Sequence, residues 1–521
     1  MPTADTADEF LALAAQYQLG VLDTEAFHPL TANLSEQAQN DLPAALRALQ
    51  AVDVAALERF QAKAGGVVEL AGAVNKTFAA GKRVFLCGCG ATGRLSLAAE
   101  WLGRAGMLPL ELAERVIGFM AGGDAALIRS IENFEDFPEY GARQLDELGF
   151  AEGDLLIAST EGGETPWVIG AVERAAAVSP NAPWFLYCNP DEQLRAAVER
   201  SRRVLDDLRI KKLNLHVGPM ALAGSTRMQA STVLLAAVGL ALEYHHEPER
   251  ISPAIGAFRH FLNDDDRSHY GALVGLTNDE AKVYQNGEYT LYRTRTTGLT
   301  TMTDTTERSP TFSLAAFENT FAQEQPASLT YLQLPGTYNS AAAWRALLLR
   351  EPRTLEWPGL EKLTSRAWLQ GYDFSDQVIV NRTTRTKQHD SYTVDVEIDE
   401  DYLRFQTKDS ISASELSFPI PPGGILFAHL HLKMLLNAHS TAVMARLGRC
   451  RGNLMTYVRA SNLKLIDRAV RYARHLYKAE TGKEIAYEKV VRALFALRPT
   501  LGPDEPAVLR VLEILKRTQA N

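Results

Sequence analysis

Three loops of this chain combine glycines with hydroxyl side chains, a composition typical of sites that bind an anion. The first loop contains Gly90, Thr92 and Gly93 and follows a short apolar run. Glycines let the backbone approach a ligand closely, and the N–H groups at the start of a helix favour negative charge. The first loop therefore predicts contact with a phosphate or a carboxylate.

Two further loops repeat this composition. The candidate binding residues are Thr160, Gly162, Gly163, Glu164 and Thr165 in the second loop, and Ser225, Thr226 and Arg227 in the third. Hydroxyl groups donate hydrogen bonds to anions, and a guanidinium can hold an anion through paired hydrogen bonds. A structural turn and simple helix capping are the alternative interpretations of these loops.

The first loop also has the glycine spacing of a dinucleotide-binding turn. Such a turn requires a strand that ends in an acidic residue about 20 residues further on. The acidic residues in that region are Glu111 and Glu114, and their stretch looks helical. We therefore disfavour nicotinamide binding, and we expect no cofactor and no metal site.

The elements around the loops are of the α/β kind. Strand candidates cover residues 84–87, 155–158, 184–188 and 213–217, and amphipathic helices cover residues 95–102 and 167–177. Continuous apolar runs that alternate with helices indicate a parallel sheet covered on both faces. Such sheets bind ligands at the carboxyl ends of their strands, where the three loops begin.

A second α/β region is predicted from residue 251. Strand candidates cover residues 329–332 and 377–380, a loop and helix start follows at 336–340, and residues 386–415 read as a polar, β-rich, irregular insertion. Asn286 and Gly287 have the signature of a hairpin turn. The last part of the chain is predicted to be helical, with breaks at Gly448 and Gly452.

Length and composition limit the class of protein. A chain of 521 residues exceeds one hydrophobic core, and its 46% apolar and 22% charged residues are typical of globular proteins. The net charge of −9 argues against nucleic-acid binding. The longest apolar run, 233–242, is too short to span a membrane, and no secretory signal is visible, so we expect a cytoplasmic protein.

Eight segments carry a resemblance to the SIS (sugar isomerase) domain family, and more narrowly to the branch of N-acetylmuramic acid 6-phosphate etherase and glucokinase regulatory protein. They are residues 88–95, 121–124, 132–136, 188–190, 224–228, 436–441, 452–455 and 461–465. Thr24, Glu25 and residues 29–31 also fit the entry segment of that branch.

The resemblance implies two tandem SIS domains, each a flavodoxin-like parallel sheet flanked by helices, with a helical C-terminal cap. The predicted boundaries are 1–52 for an N-terminal helical segment, 53–250 for SIS domain 1, 251–445 for SIS domain 2 and 446–521 for the C-terminal helices. About 190 residues separate Ala230 from Leu436, which is the size of a whole domain. We expect an internal pseudo-dimer, compatible with a monomer, whose sugar-phosphate site lies in SIS domain 1.

The resemblance also assigns roles to single residues. Glu135 corresponds to an acid/base or ligand-contacting glutamate, and Lys464 to a lysine that reaches the sugar phosphate. The family's second catalytic glutamate falls on Leu102, which cannot transfer a proton. Glu100 is close in sequence but lies on another face of the helix. A family arginine is replaced by Glu164, which makes the phosphate site more acidic.

These departures favour a phosphosugar-binding tandem-SIS protein that resembles glucokinase regulatory protein. Its ligand would be a hexose phosphate or an amino-sugar phosphate, and a sugar kinase is the candidate protein partner. The alternatives are an etherase-like lyase acting on N-acetylmuramic acid 6-phosphate and an aldose–ketose phosphosugar isomerase. We expect neither a nucleic-acid nor a membrane partner.

Overall fold

The computed structural model describes residues 5–14, 19–131, 134–263, 269–322, 325–386, 390–409, 412–460, 462–502 and 504–520. Glu132, Asn133 and Ser461, which belong to segments of the resemblance, lie outside the described residues. Within them, every helix is too short or too polar to traverse a lipid bilayer.

The first sheet is five-stranded and fully parallel. Its strands are β1 (Val84–Gly88), β2 (Val116–Met120), β3 (Leu155–Ser159), β4 (Trp184–Tyr187) and β5 (Lys211–Asn214). Their spatial order is β2-β1-β3-β4-β5, and Val84 pairs with Val116 on one side and with Leu155 on the other. This is the flavodoxin-like order, in which the chain reverses direction across the sheet between β1 and β3. Ligands bind at such a point, beside the carboxyl ends of the strands.

Helices precede and surround this sheet. Those before β1 are α1 (Ala7–Leu13), α2 (Leu34–Asn40), α3 (Leu42–Gln61) and α4 (Ala64–Ala79). Those after it are α5 (Gly90–Leu102), α6 (Leu110–Ala113), α7 (Pro138–Glu147), α8 (Pro166–Val178), α9 (Asp191–Ala197), α10 (Glu199–Asp206) and α11 (Gln229–Glu243). The strands are buried along their length except at β5 and at Ile117, because helices cover both faces.

The second sheet repeats the strand order of the first but changes direction halfway. Its strands are β6 (Tyr289–Arg293), β7 (Thr330–Gln333), β8 (Asp390–Ile398), β9 (Tyr402–Lys408) and β10 (Ala413–Pro419). The spatial order is β10-β9-β8-β6-β7. Strands β7 and β8 pair in parallel with β6, whereas β9 and β10 continue the sheet as an antiparallel meander.

The remaining helices surround the second sheet and form the C-terminal part. They are α12 (Ile251–Leu262), α13 (Val274–Gln285), α14 (Gly298–Phe312), α15 (Ser340–Leu348), α16 (Glu361–Thr364), α17 (Arg366–Leu369), α18 (Val378–Thr386), α19 (Gly424–Arg446), α20 (Leu463–Thr481), α21 (Tyr487–Leu497) and α22 (Ala507–Ala520). A short hairpin of β11 (Cys450–Arg451) and β12 (Leu454–Met455) separates α19 from α20.

Helix α19 joins the two halves of the molecule. It is buried on all sides from Leu426 to Ala445, as expected of a helix with no polar face. It packs against α2, α3 and α11 on one side and against α13 and α14 on the other. The predicted α/β class, with two sheets that carry parallel strands and a helical C-terminal part, is confirmed.

Several local predictions were wrong. Residues 377–380, predicted as a strand, enter helix α18, in which Val378 is buried while Ile379 and Val380 face outwards. Asn286 and Gly287 do not form a hairpin, because Gly287 has a φ of 75° and follows the end of α13 before β6 begins.

Other predictions needed a shift or an addition. The described residues of the segment 386–415 include β8, β9 and the start of β10, which form a regular antiparallel meander rather than an irregular insertion. Strand β5 lies two residues earlier than the apolar run 213–217 that predicted it. Strand β2 was not predicted at all.

Candidate functional site

A cavity of about 130 Å³ lies at the carboxyl end of the first sheet. Its walls come from the N-terminal segment, from the loops that follow β1, β2 and β3, from the loop before α11 and from α20. The lining residues are Leu19, Leu22, Thr24, Glu25, Cys89, Gly90, Ala91, Glu135, Glu161, Gly162, Glu164, Thr165, Thr226 and Lys464. The cavity therefore occupies the β1/β3 position at which this strand order binds ligands.

The loop after β1 forms the floor of the cavity with Gly90 and Ala91 at the first turn of α5. Gly90 has a φ of 53°, a conformation that residues with a Cβ rarely adopt. Thr92 does not line the cavity, because its hydroxyl exchanges hydrogen bonds with the backbone of Cys89. Gly93 also lies behind the floor, where a Cβ would come within 2.5 Å of Met120. Thr92 and Gly93 thus shape the loop, while Gly90 can contact a ligand.

The loop after β3 forms one wall, and its start is an extension of the sheet. The N–H of Thr160 donates to the carbonyl of Leu186 at 2.9 Å, and the N–H of Cys188 donates to the carbonyl of Glu161 at 3.0 Å. Thr160 is therefore a buried support whose hydroxyl lies 3.0 Å from that of Thr165.

Further along this loop, Gly162, Glu164 and Thr165 line the cavity together with Glu161. Gly163 does not, because it has a φ of 79° and packs towards Leu194. This loop therefore brings three of the five predicted residues to the ligand side.

The loop before α11 contributes only Thr226 to the cavity wall. Ser225 is buried, and its hydroxyl has no hydrogen-bond partner among the described residues. The guanidinium of Arg227 does not line the cavity, contrary to the sequence-based interpretation. It bonds to Asp304 of α14 at 2.9 Å and to the hydroxyl of Thr441 at 3.0 Å. The guanidinium of Arg227 therefore forms a buried ion pair that links the first sheet region to α14 of the second.

Lys464 at the start of α20 brings a positive charge to the cavity. Its ammonium donates to Glu164 at 2.7 Å. Burial disfavours the charged forms of both groups, but the ion pair outweighs burial, so the pKa of Glu164 is lowered and that of Lys464 is raised. An ammonium has three donors, and this contact uses one of them.

Glu25 is a second carboxylate of the lining with cationic partners. Arg468 and Arg471 of α20 both bond to it, the latter at 2.8 Å. Burial alone would raise the pKa of Glu25, but the attraction of these two guanidinium groups lowers it. Glu25 is therefore ionised, and it ties the N-terminal segment to α20.

Glu135 lies on a short 3₁₀ turn, Phe134–Asp136, and is half-buried. The ring of Phe134 stacks on Trp357 with centroids 5.5 Å apart, so a residue that follows β7 supports the turn. Burial raises the pKa of Glu135, and the neighbouring carboxylate of Asp136 adds to this effect. The structure thus brings Glu135, Glu164 and Lys464 to one cavity.

Glu161 is the residue that sequence analysis passed over. Its side chain is 8% exposed, it lines the cavity, and its Oε1 has no partner among the described residues. Burial raises the pKa of Glu161 to about 8. The sequence shows a glutamate between Thr160 and Gly162, but it does not predict the environment of this glutamate, because the surrounding groups come from α5, α14 and α20.

Leu102 and Glu100 both lie outside the cavity. Leu102 is buried in the hydrophobic core. Glu100 is ion-paired with Arg350 at 3.0 Å and with Arg353 at 2.8 Å. Neither residue supplies a second proton-transfer group here.

The histidines of α19 do not form a second site. Three histidines of α19 are buried, with His429 hydrogen-bonded to Thr300 at 2.8 Å and His439 to Glu280 at 2.5 Å. Over the described ranges, no group of three or more His, Cys, Asp or Glu residues could hold a metal ion.

Comparison with known proteins gives this cavity a family context. Residues 67–176 match the family described as Glucokinase regulatory protein N-terminal SIS domain. An N-acetylmuramic acid 6-phosphate etherase of Rhodopirellula baltica is 33% identical over 221 residues, which are 41% of this chain and 66% of that protein. The etherase of Synechococcus elongatus is 39% identical over 157 residues, 30% of this chain and 46% of that protein. The chain spans less than two thirds of the length of each of these relatives.

Among solved structures, the C-terminal domain of glucosamine-fructose-6-phosphate aminotransferase from Francisella tularensis is similar at 10% identity and a TM-score of 0.33. The match covers 76% of this chain and 96% of that domain. The match at residues 67–176 includes β1, β2, β3 and the loops after them, which hold most of the cavity lining. The resemblance of this chain to the SIS domain family, in the branch of N-acetylmuramic acid 6-phosphate etherase and glucokinase regulatory protein, is thereby confirmed.

Proposed function

We propose that this chain binds a sugar phosphate in the cavity at the carboxyl end of the first sheet, as a tandem-SIS protein that resembles glucokinase regulatory protein. The observation that carries the proposal is the convergence of Lys464 with the first turn of α5 on one small polar cavity. A helix N-terminus and an ammonium group are both favourable neighbours for a phosphate.

The carboxylates of the lining fit the sugar part of such a ligand. Sugar hydroxyls donate hydrogen bonds, and the oxygens of Glu135 and Glu161 can accept them. The hydroxyls of Thr165 and Thr226 serve the opposite role, as donors to phosphate or sugar oxygens. A cavity with four glutamates and one lysine disfavours a small, highly charged anion without a sugar.

Calorimetric titration with a panel of ligands tests the proposal. The panel contains glucose 6-phosphate, fructose 6-phosphate, N-acetylglucosamine 6-phosphate, N-acetylmuramic acid 6-phosphate, free glucose and inorganic phosphate. At least one sugar phosphate should bind and should raise the melting temperature, while free glucose and phosphate bind far more weakly. If none of the sugar phosphates binds, the proposal is refuted.

Lys464→Met is the matching variant, and it should weaken sugar-phosphate binding by about 10- to 100-fold, since a hydrogen bond to a charged group is lost. Lys478→Met is the control, because Lys478 lies on the same helix but is exposed and paired with Glu484. Lys464→Arg keeps the charge and should retain most of the affinity. Equal losses in Lys464→Met and Lys478→Met would contradict the assignment.

A second candidate function is an etherase-like lyase, and an aldose–ketose isomerase is a variant of the same idea. The lyase is favoured by the relatives named N-acetylmuramic acid 6-phosphate etherase and by the presence of Glu135 in the cavity. Release of lactate from N-acetylmuramic acid 6-phosphate, abolished in Glu135→Gln, would support it. Binding without turnover would favour the regulatory function instead.

The division into segments 1–52, 53–250, 251–445 and 446–521 and the internal pseudo-dimer remain part of this proposal. The candidate partner is a sugar kinase, whose activity the chain would modulate when the sugar phosphate is bound. Adding the chain to a sugar kinase with and without the bound sugar phosphate tests this partner. An unchanged kinase rate under both conditions would remove it.

A further inference from the structure

We infer that Glu161 is a proton donor to the bound ligand and that it works opposite Glu135 in the same cavity. The inference rests on the proposed function, because it requires a sugar phosphate between the two carboxyl groups. It extends that function from binding to proton-transfer chemistry, and it assigns a role to a residue outside the family positions of Glu135 and Leu102.

Strand order places the two carboxyl groups on opposite sides of the phosphate-binding loop. Glu135 lies on the turn after β2, Glu161 is the second residue after β3, and β1 runs between these two strands. The loop after β1 contributes Cys89, Gly90 and Ala91 to the cavity between them. A sugar whose phosphate sits at the start of α5 is therefore approached by one carboxyl group from each side.

Glu161 is held by rigid structure, which a proton-transfer residue requires. Its carbonyl accepts a hydrogen bond from Cys188 and the preceding residue, Thr160, donates to Leu186, so that the backbone of Glu161 continues the pairing of β3 with β4. The backbone is fixed on both sides of the residue. The side chain extends from this position to the cavity.

One oxygen of the Glu161 carboxyl group is available to a ligand. Its Oε1 is buried and has no partner within the described part of the chain. Glu25 and Glu164, by contrast, are ion-paired with residues of α20. A buried polar atom costs free energy when its hydrogen bonds are unmade, so a ligand that bonds to Oε1 recovers that loss.

Burial keeps Glu161 protonated at neutral pH, while the charged groups around it act in both directions. Glu307 faces it from α14 and Glu164 from its own loop, and both are like charges, while Lys464 of α20 and Arg94 of α5 attract its ionised form. Burial is the largest influence and raises the pKa to about 8. When one of two carboxyl groups in a site is protonated and the other can ionise, the first can act as the acid and the second as the base. Here these are Glu161 and Glu135.

The step itself is an enolisation of the open-chain sugar phosphate. Glu135 takes the proton from C2, and the electrons of that C–H bond form a C1–C2 double bond. The electron pair of the C1 carbonyl moves to its oxygen, which receives the proton of Glu161. The products are a protonated Glu135, an ionised Glu161 and an enol, which is an enediol when C2 carries a hydroxyl and a 2-acetamido enol when C2 carries an N-acetyl group. The reverse step restores both carboxyl groups.

Hydrogen–deuterium exchange at C2 in D₂O, followed by proton NMR, tests this step without requiring a net reaction. The probes are glucose 6-phosphate, N-acetylglucosamine 6-phosphate and N-acetylmuramic acid 6-phosphate. The intact chain should catalyse exchange in the probe that it binds. Glu161→Gln should slow exchange by about 100-fold, a usual loss for a general acid, while the affinity changes by less than about threefold.

Two further variants make the comparison specific. Glu161→Asp keeps the acid and should recover part of the rate that Glu161→Gln loses. Glu243→Gln is the matched control. Glu243 is a partly buried glutamate outside the cavity lining, and its Oε2 has no partner among the residues that the structure describes. It should exchange at the rate of the unaltered chain.

The pH profile separates a proton donor from a structural residue. Exchange should fall above about pH 8, where Glu161 loses its proton, and Glu161→Gln should lack this alkaline limb. Binding without exchange in the unaltered chain, or exchange that survives in Glu161→Gln, overturns the inference and leaves the proposed function intact. If no probe binds, the proposed function fails and the inference fails with it.

Discussion

At the carboxyl end of β1 the loop into α5 opens onto a cavity, whereas at the carboxyl end of β6 the loop into α14 is filled by a side chain of its own sheet. The two loops occupy equivalent places, because both sheets have the same strand order and β1 and β6 are the first strands of their sheets along the chain. The second loop is also rich in hydroxyls, with Thr294, Thr296 and Thr297. Composition alone therefore does not distinguish the two.

Glu397 is the residue that fills the second loop. Its carboxylate accepts hydrogen bonds from the N–H of Arg295 at 2.9 Å, the N–H of Thr296 at 3.2 Å and the hydroxyl of Thr296 at 2.7 Å. Thr297 turns inwards and bonds to Thr294 at 2.8 Å. The groups that could hold an anion are thus bonded to a carboxylate of the chain itself.

The contrast extends to one glutamate in each half. Strand β8 has the place in the second sheet that β3 has in the first. A glutamate lies near the carboxyl end of each, Glu397 within β8 and Glu161 two residues after β3. Both carboxylate oxygens of Glu397 accept hydrogen bonds from the loop beside it, whereas Oε1 of Glu161 has no hydrogen-bond partner within the described residues. The same residue type at equivalent positions is therefore bonded to the neighbouring loop in the second sheet and lines the cavity in the first.

The largest expected effect comes from making the first loop imitate the second. Ala91→Glu places a carboxylate at the first turn of α5, where Ala91 lines the cavity. Sugar-phosphate affinity should fall more than about 100-fold because the new charge occupies the anion position. Stability should hold, since an acidic residue at a helix N-terminus is favourable.

Calorimetry on Ala91→Glu and Ala91→Gln separates charge from bulk. Ala91→Gln has the same size without the charge, so its loss of affinity should be clearly smaller. Equal losses in the two variants would mean that the cavity, rather than the anion position, sets the affinity.

The second prediction concerns the pH dependence of stability. Folded Glu161 holds its proton up to about pH 8, whereas an unfolded glutamate loses it near pH 4.5. The folded state therefore binds more protons between these values, and stability falls as the pH rises through them. From pH 6 to pH 8 the chain should lose about 2 kcal/mol relative to Glu161→Gln.

Urea unfolding at both pH values measures this difference. Glu249→Gln, at an exposed glutamate, serves as the control and should follow the unaltered chain. A pH-independent difference between Glu161→Gln and the unaltered chain would show that Glu161 is ionised throughout.

The third prediction concerns a variant in which the carboxylate that fills the second loop is removed. Glu397→Ala removes three hydrogen bonds and should lower the free energy of unfolding by about 1–2 kcal/mol. It also frees the N–H groups of Arg295 and Thr296, so inorganic phosphate should stabilise the variant more than the unaltered chain. Glu400→Ala, at an exposed residue of the following turn, is the control. Equal stabilisation of all three proteins by phosphate would contradict the comparison.

Much of this contrast was beyond sequence analysis for identifiable physical reasons. The strands β1, β3 and β4 were predictable because they are continuous apolar runs, buried along their whole length. Strand β2 was missed because Gly118 interrupts its apolar run. Residues 378–380 resembled a strand because they are β-branched, yet their helix buries only Val378 of the three.

The site residues divide in the same way. Gly90, Thr165 and Lys464, which were predicted to bind a ligand, line the cavity. Arg227 does not, because its partner Asp304 lies on a helix distant in sequence. Sequence analysis could not show that Oε1 of Glu161 has no partner among the described residues, because this depends on every element packed around the residue.

The smallest effect distinguishes the two loops by a single hydroxyl in each. Thr226→Val should weaken sugar-phosphate binding by about three- to fivefold, the value of one neutral hydrogen bond, with little change in stability, because Thr226 faces the cavity. Thr296→Val should do the reverse, since its hydroxyl bonds to Glu397 and to the N–H of Ile398. It should lower the free energy of unfolding by about 1 kcal/mol and leave the affinity unchanged. Calorimetry and urea unfolding on both variants give four numbers, and a loss of affinity in Thr296→Val would mean that the second loop takes part in binding after all.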